Sequence, residues 1–180
     1  MPVDALADKS LNKQRMLQYK TFAVAFSYPD NNLFEFFPQF LPEKDNLQLE
    51  YDRFFRSSEV WLYGCEYSAE NEFQRAQSLS DINGFYRAFG LETDKDRPDS
   101  LPCELEFMHY LILKELNAPN QDKVSICFDA QKKFFKEHLY PSAEKIAQKI
   151  ISLTRDGFYC KAGKDLLKFL ESEKNIFHNK

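Results

Sequence analysis

Two glutamates, Glu104 and Glu106, sit in the first turns of a stretch that is otherwise almost wholly apolar, "LPCELEFMHYLILKE" (residues 101–115). A close pair of carboxylates can share acid–base work or accept a bidentate guanidinium. Two positions apart on a helix, these two point to different faces and cannot form such a dyad. Each alone can offset the positive helix N-terminus. Leu101, Leu105, Met108, Ile112 and Leu116 fall on one stripe, and Glu104, Phe107 and Leu111 form a second beside it. Glu104 is therefore flanked by residues of core type. It either serves the helix end or faces something that is bound.

Other reactive side chains form no recognisable centre. Cys65, Cys103, Cys127 and Cys160 are far apart, so there is no C-x-x-C metal or redox pair. A cysteine nucleophile at Cys65 or Cys103 would need His109 or His138 beside it in space, and no local signature surrounds any of them. The three histidines, His109, His138 and His178, share no ligand spacing, and no H-E-x-x-H occurs. "GFYCKAGKD" from Gly157 fails as a phosphate loop: five residues separate its glycines, and Asp165 stands where Ser or Thr is needed. We therefore expect no catalytic residues, no metal and no cofactor.

The elements that must position these residues read as helices throughout. Leu11, Met16, Tyr19, Ala23 and Phe26 recur at helical spacing from Ser10 to Ser27, and Pro29 closes that helix near Tyr28. "NNLFEFFPQFLP" is a turn or two at most, and "PEKDNLQLEYDRFFRS" is a long helix. "SSEVWLYGCEYS" reads as an extended loop with no strand to pair with. Ser68 is the expected N-cap of a helix that ends at Gly90. After the polar connector "LETDKDRPDS" come the central apolar helix, an amphipathic helix carrying Phe128, Phe134, Phe135 and Leu139, a helix opened by Pro141, and a last helix holding Leu166 and Phe169. The tail "SEKNIFHNK" is expected to fray. The sum is one all-α domain of seven or eight helices over residues 1–180, with a hinge conceivable only at 91–99.

Composition agrees. Hydrophobic residues make up 43% and charged residues 29%, with 18 Phe, enough for a real core and for an aromatic groove. The net charge of −4 argues against a nucleic-acid partner. There is no secretory signal and no apolar stretch of ~18 residues, so a soluble cytoplasmic protein without membrane insertion is expected.

Five strings, in order, resemble the TorD/DmsD/NarJ family of redox-enzyme maturation chaperones: "YDRFF" (51–55), "LYGCEYS" (62–68), "INGFYRAFGLE" (82–92), "RPDSLPCELEFMHYL" (97–111) and "FFKEHLYP" (134–141). They span about half the chain, and the fourth is the most specific. The resemblance implies an all-helical, non-enzymatic, cytoplasmic chaperone, monomeric or domain-swapped. Its expected partner is the catalytic subunit of a molybdopterin oxidoreductase, held by its N-terminal twin-arginine leader, or a remnant of one, until the cofactor is inserted. One departure matters: where the family has an acid before the proline and a histidine after the aspartate, this chain has Arg97 and Ser100. A receptor for such a leader needs carboxylates for guanidinium groups and an apolar groove. The candidates are Asp99, Glu104 and Glu66 for the charges, Pro98 in the turn, and Tyr51, Phe55, Tyr63, Tyr67, Tyr86, Phe107 and Met108 as walls. A general all-α adaptor, and a small cysteine-dependent enzyme, are the alternatives.

Overall fold

The computed structural model describes the backbone of residues 3–57, 59–92 and 97–179, and the side chains from Lys9 to His178 within those ranges. Among the described residues the chain is helical and has no β-strand. Helix α1 spans Val3–Ala25, α2 Asn31–Phe36, α3 Lys44–Tyr51, the single turn α4 Cys65–Ser68, and α5 Glu72–Ala88. Helix α6 spans Leu101–Leu116, α7 Gln121–Phe134, α8 Tyr140–Leu153 and α9 Gly157–Asn179. A 3₁₀ segment, Pro38–Glu43, leads into α3, and π turns follow α3 (Asp52–Arg56) and α7 (Phe135–Leu139).

Helix α6 is the axis of the fold, as its circumferential apolarity requires. Leu101, Leu105, Phe107, Met108, Leu111 and Ile112 are all buried, with α1 packed on one side and α7 on another. Aromatic rings fill the space around it. Phe107 meets Tyr86 and Phe134 edge-on, with centroids 4.7 and 4.8 Å apart. Such pairs add roughly 0.5–1.5 kcal/mol beyond their buried area.

Two local expectations, the Ser68 cap and the frayed tail, need correction. Ser68 does not cap α5; Asn71 does, its side chain accepting from the Gln74 N–H at 3.0 Å. Ser100 sits at the N-cap of α6 in extended backbone but makes no side-chain cap bond. The tail does not fray. Helix α9 runs on to Asn179, because Glu173 and Phe177 are buried against α1 and the π turn after α7. The end of α5 behaves as read: Gly90 has φ +77°, and the Leu91 and Gly90 N–H groups donate to Tyr86 and Arg87 carbonyls. Of the connector 91–99, residues 93–96 lie outside the described residues, and so does the centre of the expected hinge.

Candidate functional site

The segment expected to be an unpaired loop is held by the turn before α6. The Leu101 N–H donates to Leu62 O at 2.7 Å, and the Gly64 N–H donates to Asp99 O at 2.8 Å. Together they make an antiparallel bridge between Tyr63 and Ser100. Gly64 permits this approach. A Cβ there would lie 3.2 Å from Ser142 Oγ of α8 and 3.5 Å from the Asp99 carbonyl oxygen. Residues 62–66 and 97–101, remote in sequence, thus form one ledge at the head of α6.

Asp99 is the keystone of this ledge and is 0% exposed. Its carboxylate accepts the Cys65 N–H at 2.9 Å, and Arg97 through Nε at 3.1 Å and Nη2 at 3.2 Å. Burial alone would raise its pKa, but the Arg97 and Cys65 hydrogen bonds outweigh burial and hold it below the usual value. Glu66 receives Arg75 at 2.7 and 3.1 Å and Arg97 at 3.1 Å. The Arg75 bonds chiefly keep its carboxyl below the ordinary range.

Glu104 is different. It is 1% exposed, and its Oε2 has no hydrogen-bond partner. Burial, and then the Asp99 charge, push its pKa well above the ordinary value of 4.5. Glu106 faces the other way and pairs with Lys20 of α1. The two glutamates therefore have unrelated roles.

These contacts revise the expected leader clamp. Asp99 and Glu66 do not face solvent as open acceptors, because the chain's own Arg97 and Arg75 already occupy them. Glu104 is in the core rather than on a groove. Among the expected walls, Met108 at 0%, Phe107 at 2% and Tyr86 at 3% exposure are core residues. The Tyr86 hydroxyl donates to the carbonyl of buried Pro98 at 2.8 Å. Tyr67 is half-buried and donates to Trp61 O at 2.9 Å.

Tyr51, Phe55 and Tyr63 do come together. With Tyr28, Arg56 and Arg97 they line a cleft of about 570 Å³ beside the ledge. Phe55 packs on Tyr51 and Tyr159, with centroids 4.9 and 5.1 Å apart, so it is both cleft floor and core. Arg56 lies 4.4 Å over the Tyr28 ring and Arg97 3.9 Å over Tyr63. Tyr28, Arg56 and Arg97 are absent from the sequence-derived candidates. Arg97 carried a signal, since it stands where the resembling family has an acid.

The cysteine chemistry finds no support. Burial pushes the Cys65 thiol up to about 11, the opposite of an activated nucleophile. His109 bonds through Nδ1 to the Met16 carbonyl at 2.9 Å. His138 bonds to Asp81 at 2.7 Å and packs between Phe85 and Phe134, which ties α5 to the π turn after α7.

Comparison with known proteins adds the following. A family model described as nitrate reductase delta subunit matches residues 30–148. A perchlorate reductase assembly chaperone protein from Dechloromonas aromatica (strain RCB) is 38% identical over 65 residues. Those residues make up 34% of this chain and 29% of that protein. No solved structure matches.

Proposed function

The chain belongs to the nitrate reductase delta subunit family, and from that premise we propose that it is an assembly chaperone for a molybdopterin oxidoreductase. In this reading it binds the N-terminal leader of the catalytic subunit, a twin-arginine signal or its remnant. It holds that subunit in the cytoplasm until the molybdenum cofactor is in place. The role is one of binding, without catalysis and without a cofactor of the chaperone's own.

The observation that carries the proposal is the cleft beside the ledge. Its tyrosine and phenylalanine walls suit an apolar segment, while the adjoining Glu66–Asp99 pair is chemically a guanidinium acceptor. Tyr51, Phe55, Tyr63, Glu66 and Asp99 all lie within the matched residues 30–148. Tyrosine walls favour such a task because they offer large rigid contact area with little side-chain entropy to lose. The related protein from Dechloromonas is itself an assembly chaperone by name, which fits a holding role here.

The test is co-purification. A tagged form of this chain, expressed with the catalytic subunit of a co-encoded molybdopterin oxidoreductase, should retain that subunit. Deleting the subunit's N-terminal leader should abolish retention. Equal retention with and without the leader would refute leader binding.

A further inference from the structure

The ledge holds a complete receptor for a guanidinium group, and the chain fills that receptor itself. Arg97 reaches Asp99 at 3.1 and 3.2 Å and Glu66 at 3.1 Å, with its guanidinium carbon 3.9 Å over the Tyr63 ring. Two carboxylates and an aromatic face recognise arginine by fork geometry and ring electrostatics.

Several features make this occupant exchangeable. None of its bonds is as short as the roughly 2.7–2.9 Å usual for guanidinium and carboxylate, whereas Arg75 holds Glu66 with one bond at 2.7 Å and one at 3.1 Å. The Arg97 side chain is 29% exposed and lines the aromatic cleft. Across the ledge two carboxylates, Glu66 and Asp99, are matched by two guanidinium groups, Arg75 and Arg97, so a client arginine binds there only by displacing one of them.

We infer that Arg97 is a resident stand-in for an arginine of the client leader. The client's guanidinium takes its place on Glu66 and Asp99, and Arg97 turns out to solvent at the cleft rim. This inference rests on the leader-binding reading. The exchange conserves charge and hydrogen bonds, so its cost is small, and the apolar contacts of the leader along Tyr51 and Phe55 decide the outcome. Arg97 then acts as a specificity residue. It lowers the apparent affinity of every arginine leader by the fraction of time it holds the site, about tenfold if it is in place nine-tenths of the time.

Two labelled synthetic peptides test this, one with Arg-Arg before an apolar run and one with Gln-Gln in the same place. Each is titrated by fluorescence anisotropy against the full chain and its R97Q variant. R97Q should tighten the Arg-Arg peptide about tenfold and leave the Gln-Gln peptide unchanged. If both peptides bind but R97Q fails to tighten the first, the exchange is overturned and leader binding stands. If neither peptide binds either protein, leader binding falls and the exchange with it. Circular dichroism checks that R97Q folds. Should it not, R97K decides: it keeps the charge but cannot fork, so a smaller tightening supports the exchange and none overturns it.

Discussion

Burial of Glu104 favours its protonated form. Its pKa is raised on folding, so the unfolded chain loses this proton above its ordinary value of 4.5 while the folded chain retains it. Stability therefore falls as pH rises past that value. We predict that Glu104→Gln, neutral at every pH, raises the melting temperature at pH 7, and that the gain shrinks as pH drops toward the ordinary carboxylate value. Melts of both proteins across that range check it; a gain that did not vary with pH would refute it. Asp99 has the opposite sign. Its lowered pKa contributes stability that is present above 3.8 and lost as pH falls below. Phe55, at 8% exposure and packed on two tyrosines, should cost about 3–5 kcal/mol when truncated to alanine, measured by urea unfolding. A loss under about 1 kcal/mol would mean that its contacts belong to the cleft rather than to the core.

At the scale of elements, the last helix owes its length to one buried cluster. Arg15 of α1 bonds to Glu173 of α9 at 2.7 and 2.8 Å, Tyr19 adds a third bond at 2.7 Å, and Gln131 of α7 accepts from Arg15 at 3.2 Å. Phe177 lies one turn further on, with Arg15 5.3 Å over its ring. Removing one partner of such a pair leaves a buried charge unpaired. Glu173→Ala should cost about 3–5 kcal/mol, whereas replacing Arg15 and Glu173 together by methionine should cost much less. Chemical denaturation of the single and double variants measures the difference; equal losses would deny the coupling. The tail reads as frayed from sequence because the partners of Glu173, Arg15 and Tyr19, are more than a hundred residues away.

At the scale of the molecule, α6 is enclosed by α1 and α7 and abuts the π turn before α8. The amides of Leu105 through Ile112 should therefore exchange hydrogen only through global unfolding. Native-state hydrogen exchange under increasing denaturant tests this, and early exchange in α6 would contradict its central place. The ledge binds residues 62–66 to residues 97–101, so disturbing either should loosen the cleft. Gly64→Ala should do so, since its added Cβ must move Ser142.

The periodicity of the chain was enough to determine the all-α class, the central place of α6 and the Gly90 helix end, because each depends on a neighbour within one or two helical turns. The ordered motifs were enough for the family. The charge state and availability of Glu66, Asp99 and Glu104 depended on something else. Whether a carboxylate faces a partner or the chain's own arginine depends on which remote segments meet. Only the bridge between Tyr63 and Ser100 brings Glu66 to Arg97. Burial then decided the rest: a carboxyl is held below its ordinary pKa at Asp99, beside a guanidinium, and pushed above it at Glu104, whose Oε2 has no hydrogen-bond partner.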